Sequence, residues 1–210
     1  IISVGNITVG GTGKTPHIEY LAKLLQQNYT VAVLSRGYKR KSKGFLLLTQ
    51  ESSSKEAGDE PFQIKRKFPS VYVAVDKDRC YGIEELSKEK VAPGLEVVLL
   101  DDAFQHRYVK PGLNILLIDY NRMLHQDTLL PAGRMREPEK GKYRAQIVII
   151  TKCPQDIKSM EIKFLEEKVN LHNHQALYFT TMKYRDLIPV FENSGANRKP
   201  LHSISTKDYI

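Results

Sequence analysis

Six short runs of Val, Ile and Leu recur along the first 151 residues, and segments with helical spacing separate them. The runs hardly alternate apolar with polar side chains, which is typical of strands that are covered on both faces. After the first run, Ile18, Leu21 and Leu25 would share one face of a helix. The alternation predicts an α/β fold, with a mostly parallel, doubly wound sheet and helices on both of its faces. The predicted strands span residues 1–6, 31–35, 71–75, 96–102, 113–119 and 145–151.

The segment ITVGGTGKTP, residues 7–16, joins the first predicted strand to the first predicted helix. A glycine-rich turn at this place directs backbone N–H groups into one concavity, and the start of the helix adds partial positive charge. Lys14 can then reach the terminal phosphates of a nucleotide, and the hydroxyl of Thr15 can bind Mg²⁺. The segment predicts a P-loop NTPase-like fold, although Thr8 stands where the usual pattern has Gly. The predicted phosphate-binding residues are Thr8, Val9, Gly10, Gly11, Thr12, Gly13, Lys14 and Thr15.

Two carboxylates, Asp101 and Asp102, end the fourth predicted strand. A P-loop needs an acidic side chain at the end of another strand to complete its magnesium site. We therefore expect Asp101 and Asp102 to hold Mg²⁺ together with Thr15. Asp119 also ends a predicted strand, but we expect its role to be structural because one acidic pair already meets the requirement.

The pattern changes after Leu177, where apolar and polar residues alternate more. This alternation predicts a half-exposed strand that leaves the core sheet. We therefore expect a P-loop nucleotide-binding core over residues 1–176, followed by linker strands and the beginning of a smaller C-terminal domain over residues 177–210. The chain begins at Ile1 rather than at Met, inside a strand-like run, so we expect it to be a piece of a longer protein.

Charge and cysteine content narrow the classes of function only coarsely. The formal net charge is +8, and basic residues cluster at 35–44 and 65–67. Such clusters are either solvated surface or an attraction for an anionic partner, and charge alone does not decide between these. Cys80 and Cys153 lie far apart, so they indicate neither a disulfide framework nor a zinc site, and a reducing, cytoplasmic setting is the default. The chain has no run of about 18 apolar residues that would predict a membrane span.

Six motifs occur in one order along residues 1–154. They are SVGNITVGGTGKTP, SRGY, GDEP, DDAFQHR, LLPAGRMREP and VIITKCP. Together they resemble the tetraacyldisaccharide 4'-kinase family, the lipid A 4'-kinases of Gram-negative bacteria. The departure at Thr8 is also similar to that family, in which Ser or Thr stands at this place. Residues 155–210 match no motif of the family.

The resemblance implies an enzyme, a phosphotransferase with an alcohol group as acceptor. It would use Mg²⁺ and transfer the γ-phosphate of ATP to the 4'-hydroxyl of a tetraacyldisaccharide 1-phosphate, forming lipid IVA in lipid A (lipopolysaccharide) biosynthesis. The family's enzyme is peripheral on the cytoplasmic face of the bacterial inner membrane, and an N-terminal hydrophobic helix, expected to precede Ile1, helps to anchor it. The implied partners are this lipid and the anionic membrane surface, with no nucleic acid, and the expected state is a monomer.

The resemblance also implies roles for four charged residues. Lys14 takes the P-loop role. Asp59, in GDEP, matches the family's proposed catalytic aspartate, which can orient an acceptor hydroxyl and accept its proton. Glu60 stands beside it and is expected to serve the metal or the substrate. Arg136, in REP, matches an arginine expected to stabilise charge on the transferred phosphoryl group. Taken alone, GDEP is typical of a polar turn before a helix.

Four further residues are expected to line the site. Gln105 and His106 follow the same strand end as the acidic pair, although His106 is equally typical of a structural histidine. Arg36 and Tyr38, in SRGY, follow the second predicted strand and are expected to contact the nucleotide or the acceptor.

The resemblance implies a function for the basic loop, residues 35–44. The implied substrate carries a 1-phosphate and lies in an anionic membrane, so clustered positive charge would steer the protein to that surface. The residues expected to do so are Arg36, Lys39, Arg40, Lys41 and Lys43.

One part of the family's pattern is missing from this sequence. In the family, the catalytic aspartate pairs with a histidine of a DHH motif beyond the TKCP segment, and this chain has no DHH. His172 and His174 lie too early; as an HxH pair they hint at a metal, but they are more typical of a solvated helix end. We therefore expect a chain that binds nucleotide, lacks the second half of the active site and is inactive alone.

Two other classes of function compete with the kinase. A P-loop GTPase or metal-insertion chaperone would share the sheet and the GKT turn. Guanine readers usually carry an [NT]KxD tetrapeptide, however, and in TKCP the place of its Asp is taken by Pro154. A basic nucleic-acid-binding module would account for the charge, but no aromatic-interleaved RNA motif or zinc spacing supports it.

Overall fold

One eight-stranded sheet organises the computed structural model, which describes residues 1–183. Its strands are β1 Ile2–Gly5, β2 Val31–Ser35, β3 Leu46–Leu47, β4 Tyr72–Val75, β5 Val97–Asp101, β6 Leu113–Asp119, β7 Ile147–Thr151 and β8 Ala176–Phe179. The strand order is β3-β4-β2-β5-β1-β6-β7-β8. Every neighbouring pair is parallel except β3 with β4. The predicted mostly parallel α/β sheet is confirmed.

Helices cover both faces of this sheet. The α-helices are α1 Lys14–Leu25, α2 Ser54–Ala57, α3 Asp59–Lys67, α4 Arg79–Leu86 and α5 Ser159–Val169, and 3-10 helices span Leu124–Gln126 and Glu139–Arg144. On one face, Ile18 of α1 and Ile64 of α3 join the same core as Val33. On the opposite face, Leu86 of α4 joins the core that contains Leu34. Adjacent strand residues are therefore both buried, which explains the continuous apolar runs in the sequence.

The carboxyl ends of the central strands place the polar residues that follow them at one edge. In the register of the sheet, Val4 of β1 pairs with Asp101 of β5 on one side, and Gly5 pairs with Leu116 of β6 on the other. The glycine-rich segment therefore leaves β1 between the ends of β5 and β6. Open α/β sheets bind their ligands outside the carboxyl ends of the strands, so this edge is where a site is expected.

The segment between β2 and β4 contains structure that the apolar pattern did not predict. It forms the two-residue strand β3 and the short helices α2 and α3. Only Pro61 and Ile64 of α3 are buried, so its apolar stripe is too narrow for periodicity to reveal. Gly58 separates α2 from α3 at a φ of 92°, a left-handed conformation that Gly adopts without steric cost.

The C-terminal end of the described chain departs from the sequence prediction. A strand with alternating exposed and half-buried residues, β8, overlaps the predicted half-exposed strand only at residues 178–179. It does not leave the core sheet over Ala176–Phe179, however, because β8 pairs in parallel with β7. The division into two domains stays a prediction, since residues 184–210 lie outside the described part of the chain. Within residues 1–183, we find no helix that is both long and apolar enough to span a membrane.

Candidate active site

The P-loop connects the end of β1 to the start of α1 and opens towards solvent. Gly13 precedes α1 with a φ of 83°, which lets the chain turn abruptly into the helix. The first N–H groups of a helix have no intrahelical acceptor, so those of Lys14 and Thr15 are free to bind an anion. The geometry at this turn is that of a phosphate-binding loop.

Two of the predicted phosphate-binding residues use their backbone N–H within the protein. The N–H of Val9 donates to the carbonyl of Arg134 at 2.7 Å, and the N–H of Thr12 donates to the carbonyl of Gly10 at 3.1 Å. Thr8 is buried beside them, in a backbone bridge to Met135. Contact with phosphate therefore falls mainly to Gly10, Gly11, Gly13, Lys14 and Thr15, whose roles stay predictions.

The inner side of the P-loop is tied to two neighbouring strand ends. Asn6 donates through its side-chain amide to the Thr12 hydroxyl at 2.8 Å, and the Thr151 hydroxyl donates to the Thr12 carbonyl at 3.0 Å. Because C=O and N–H point in opposite directions across a trans peptide, anchoring the Thr12 carbonyl turns the Gly13 N–H towards the mouth of the loop. These two bonds anchor Thr12 to the residue that follows β1 and to the end of β7.

Asp102 brings together the P-loop lysine and the REP arginine. One of its carboxylate oxygens lies 3.7 Å from the ammonium of Lys14 and 2.9 Å from the guanidinium of Arg136. Burial opposes ionisation of Asp102, but the hydrogen bond from Arg136 and the charge of Lys14 outweigh it and lower the pKa of this carboxyl. Asp102 also has a φ of 48°, an uncommon value outside Gly that concentrates at functional sites.

Asp101 has the features expected of a carboxylate that binds a cation. It is 4% exposed, and the Ser35 hydroxyl donates to one of its oxygens at 3.1 Å. Its other oxygen is buried and has no hydrogen-bond partner within the described residues. Burial and the nearby charges of Glu60 and Asp102 raise the pKa of Asp101 to about 6. A divalent cation would satisfy the orphaned oxygen and offset this repulsion, so the residues present fit Mg²⁺.

Asp59 and Glu60 occupy the first turn of α3, and both are exposed. The backbone of Gly58 lies against the turn after β2, since a Cβ on Gly58 would come within 3.0 Å of the Tyr38 carbonyl. The start of α3 is therefore held at the same edge of the sheet as Asp101, whose pKa responds to Glu60. Carboxylates in the first turn of a helix interact favourably with the partial positive charge at its start.

The four residues predicted to line the site have different surroundings. Gln105 donates to the Asn6 carbonyl at 2.6 Å and to the Glu137 carboxylate at 3.1 Å, which makes it a link between loops. His106 is half-buried, and burial together with the charges of Arg79 and Arg36 lowers its pKa. Arg36 is exposed near this imidazole, whereas Tyr38 is 74% exposed and has the Lys39 ammonium over its ring.

Two buried polar residues that the sequence reasoning missed hold the site together. The side chain of Asn6 binds Thr12 and also accepts from the Arg136 guanidinium. Glu137 accepts from Arg144 at 2.9 Å, and its other partners are Arg107 and Gln105. The available signals were a polar residue at the end of a buried strand, and a carboxylate beside Arg136 in REP.

The basic side chains of the loop 35–44 differ in whether they bind the rest of the protein. Arg40 donates to the Val75 carbonyl at 3.2 Å and to the Ser42 hydroxyl at 3.2 Å, so its guanidinium anchors the loop to the end of β4. Lys39, Lys41 and Lys43 are exposed. The loop therefore presents lysines to solvent and uses Arg40 for its own structure.

His172 and His174 do not form a metal centre in the described chain. The His172 ring packs at 4.0 Å from the Tyr143 ring, and the two histidine rings lie 5.8 Å apart. Within residues 1–183, no group of three or more His, Cys, Asp or Glu side chains is arranged to hold a metal. A magnesium ion at Asp101 and Asp102 would therefore need oxygens from the nucleotide and water, as Mg²⁺ at such sites commonly has.

Comparison with known families identifies the family of this chain. The family model described as tetraacyldisaccharide-1-P 4'-kinase (LpxK) matches residues 1–200. The chain belongs to the tetraacyldisaccharide-1-P 4'-kinase family. The resemblance predicted from the six motifs is confirmed, and the competing prediction of a P-loop GTPase or metal-insertion chaperone is set aside.

Individual relatives agree with the family assignment. The chain is 64% identical over 196 residues to a tetraacyldisaccharide 4'-kinase of Phocaeicola vulgatus, covering 93% of this chain and 54% of that protein. It is 56% identical over 216 residues to the enzyme of that name in Bacteroides thetaiotaomicron, covering 100% of this chain and 57% of the relative. The chain thus spans about half the length of the curated relatives it matches.

A solved structure of this family has a similar fold. The crystal structure of LpxK from Aquifex aeolicus in complex with ATP matches with a TM-score of 0.63 and 45% sequence identity. The match covers 71% of this chain and 47% of that chain. The P-loop kinase fold predicted from the sequence is therefore confirmed by sequence and by structure.

Proposed function

We propose that this chain forms the nucleotide-binding half of an ATP-dependent kinase that phosphorylates the 4'-hydroxyl of a tetraacyldisaccharide 1-phosphate, giving lipid IVA. The observation that carries the proposal is the convergence of Lys14 and Arg136 on Asp102 at the mouth of the P-loop. Two cations and a carboxylate at this place suit a reaction in which charge builds up on a transferred phosphoryl group. Family membership supplies the identity of the substrates.

The P-loop residues bind and orient the triphosphate in this proposal. The amide N–H groups at the start of α1 donate hydrogen bonds to the phosphate oxygens, and Lys14 leaves Asp102 to contact the terminal phosphates. The present separation of 3.7 Å between Lys14 and Asp102 is an ion pair that a nucleotide can replace. Arg136 then stabilises the phosphoryl oxygens, while Asp102 keeps its guanidinium in place at 2.9 Å.

Mg²⁺ would be held by Asp101, Asp102 and Thr15. Glu60 lies near enough for its charge to raise the pKa of Asp101. Bound there, the ion would neutralise charge on the phosphates. The buried, unpartnered oxygen of Asp101 supports this assignment from the side of the protein.

Asp59 acts on the acceptor in this proposal. Its exposed carboxylate, at the first residue of α3, can orient the 4'-hydroxyl and accept the proton as the new bond to phosphorus forms. The family's partner histidine belongs to a DHH motif that this sequence lacks, so turnover is expected only from the full-length protein.

We further propose that the protein works as a peripheral monomer on the cytoplasmic face of the inner membrane. Its lipid substrate lies in that membrane, and the exposed lysines of the basic loop suit an anionic surface. The proposal includes no nucleic-acid partner.

The test is transfer of ³²P from γ-labelled ATP to a tetraacyldisaccharide 1-phosphate by the full-length protein. Lys14→Ala is expected to abolish turnover through lost phosphate binding. Asp59→Asn is expected to lower kcat by about 10²-fold or more while nucleotide binding stays normal. Lys23→Ala, which removes another exposed lysine of α1, serves as the matched control. Absence of transfer by the wild-type protein would refute the proposed function.

A further inference from the structure

Three successive carbonyls of the P-loop, those of residues 11–13, are each bound by a side chain of the protein. The side chains, in the order of the carbonyls, are those of Lys152, Thr151 and His17. Thr151 is the last residue of β7 and Lys152 follows it, so both come from the end of one strand. His17 instead lies in the first turn of α1, and the P-loop pattern itself gives this position no role.

The ring of His17 makes the shorter of two hydrogen bonds to the Gly13 carbonyl. Its Nδ1 lies 2.7 Å from this oxygen, whereas the backbone N–H of His17 donates to the same oxygen at 3.3 Å. A Cβ on Gly13 would lie 3.6 Å from Nδ1, so the ring packs directly against the turn into the helix. The carbonyl of Gly13 is therefore held mainly by the side chain of His17.

The surroundings of the His17 ring determine which nitrogen carries its proton. Burial lowers the pKa of His17, although the bond to the Gly13 carbonyl opposes this shift, so the ring is neutral at neutral pH and has one N–H. A carbonyl oxygen can only accept, so this N–H is at Nδ1. Nε2 is then an acceptor, and the Thr180 hydroxyl, 3.3 Å away, donates to it.

The backbone of Thr180 is fixed on both sides. Its N–H donates to the carbonyl of Ile150, and its carbonyl accepts from the N–H of Cys153, both at 2.9 Å. These bonds continue the pairing of β8 with β7 beyond Phe179. The Thr180 hydroxyl is therefore presented to His17 from the end of the sheet, and the ring joins this strand end to the P-loop.

The direction of the Lys14 amide depends on the carbonyl that His17 holds. C=O and N–H point in opposite directions across a trans peptide, so a Gly13 carbonyl bound to the ring turns the Lys14 N–H away from it. This N–H has no intrahelical acceptor and is one of the donors expected to bind phosphate. A donor whose direction is fixed before the ligand arrives reduces the ordering cost of binding.

We propose that His17 and Thr180 are positioning residues for the nucleotide: Thr180 orients the His17 ring, and the ring holds the Gly13–Lys14 peptide with its N–H directed at the phosphates. Neither side chain contacts the nucleotide. The inference rests on the proposed function and deepens it, because it adds a link between nucleotide affinity and the strand end after β8.

The first experiment measures the Kd of ADP and of a non-hydrolysable ATP analogue for the full-length protein. His17→Leu is expected to raise both values about tenfold, since both nucleotides have the phosphates that the start of α1 binds. His17→Asn places an amide donor close to the position of Nδ1 and should recover most of the affinity. His125→Leu, at an exposed histidine, is the control. A wild-type Kd for His17→Leu, or equal losses for His17→Leu and His17→Asn, would overturn the role of the ring.

The second experiment tests whether Thr180 acts through the ring. Thr180→Val keeps the shape of the side chain and is expected to raise the Kd about threefold. In a protein that already carries His17→Asn, the same substitution should add no further loss, because the shorter amide no longer reaches the hydroxyl. Thr181→Val, at the exposed neighbouring residue, is the control. Additive losses, or an unchanged Kd for Thr180→Val, would overturn the link.

A spectroscopic measurement separates failure of this inference from failure of the proposed function. NMR of the full-length protein with ¹⁵N-labelled histidine reports which ring nitrogen is protonated, and the His17 signals are assigned by their loss in His17→Asn. The expected result is a proton on Nδ1 at neutral pH. A proton on Nε2 would overturn the inference whether or not phosphate is transferred. Absence of transfer, together with a proton on Nδ1 and weaker nucleotide binding by His17→Leu, would refute the kinase and support the positioning role.

Discussion

The ammonium of Lys152 lies 2.7 Å from the carboxylate of Asp119 and also donates to the carbonyl of Gly11 in the P-loop. Asp119 is 4% exposed at the end of β6, and Lys152 follows β7 with a φ of 61°. A non-glycine residue in this conformation is strained, and this backbone strain accompanies the placement of the Lys152 side chain against the P-loop. Lys152 thus binds the carbonyl of Gly11, and Thr151 binds the carbonyl of Thr12.

We predict that Lys152→Met weakens nucleotide binding by the full-length protein about tenfold, since it removes the bond that holds the Gly11 carbonyl. The variant keeps most of the side-chain stem, so packing changes little. A titration with a fluorescent ATP analogue measures the Kd. Lys152→Arg retains the charge and is expected to recover part of the affinity. An unchanged Kd for Lys152→Met would show that the loop keeps its shape without this lysine.

Asp102→Asn is predicted to lower kcat by about 10²-fold or more. The substitution removes the charge that Lys14 and Arg136 share, but Asn tolerates the left-handed backbone that Asp102 adopts. Loss of activity can therefore be assigned to charge rather than to strain. Initial rates at increasing Mg²⁺ concentration are the measurement, and a raised Mg²⁺ requirement should accompany the loss. A variant with wild-type kcat would exclude Asp102 from the chemistry.

The sequence was sufficient for the six inner strands of the sheet, and it also predicts where the site lies, because both predictions depend on local patterns. The apolar runs before Asp101 and Asp119 and the glycines before Lys14 carry those predictions without any tertiary information. The bounds of α3 were not predicted because two buried residues make no stripe, although GDEP is typical of a turn before a helix. The strand β8 was placed outside the sheet because it is an edge strand with exposed residues.

The polar links behind the site could not be predicted from spacing. Asn6 and Arg136 are separated by 130 positions in the chain, and Lys152 and Gly11 by 141. Such pairs form only when segments distant in sequence meet at one edge of the sheet. Asp119 was expected to be structural because Asp101 and Asp102 already met the need for an acidic pair, and nothing local shows that β7 delivers a lysine to it.

Glu137→Gln is predicted to destabilise the fold by about 1 kcal/mol at neutral pH, since it leaves the half-exposed Arg144 and the exposed Arg107 without their buried counter-charge. Burial opposes ionisation of Glu137, but Arg144 and Gln105 lower its pKa below the ordinary value of roughly 4.3. A depressed carboxyl pKa stabilises the fold above the unfolded-state pKa, and this contribution disappears as the pH falls through the folded value.

The difference in stability between wild type and Glu137→Gln should therefore be full above about pH 5.5 and shrink below about pH 4. Urea unfolding at a series of pH values measures it. Glu166→Gln, at an exposed position of α5, is the control and should change stability little. A pH-independent difference would show that the hydrogen bonds of Glu137 matter and its charge does not.

Replacing Lys39, Lys41 and Lys43 by Ala is predicted to weaken binding of the full-length protein to vesicles rich in anionic lipid. Each lysine near such a surface contributes about 1 kcal/mol, so the loss should be large at low salt and small at high salt, where charges are screened. Arg40 is kept in this variant because it anchors the loop to Val75, and its removal would disturb the fold. The measurement is sedimentation with vesicles at two ionic strengths.

A variant with Lys90, Lys163 and Lys168 replaced by Ala loses the same charge from other exposed positions, and it should bind almost as the wild type does. Equal loss in the two variants would mean that net charge, rather than the basic loop, directs the protein to the surface.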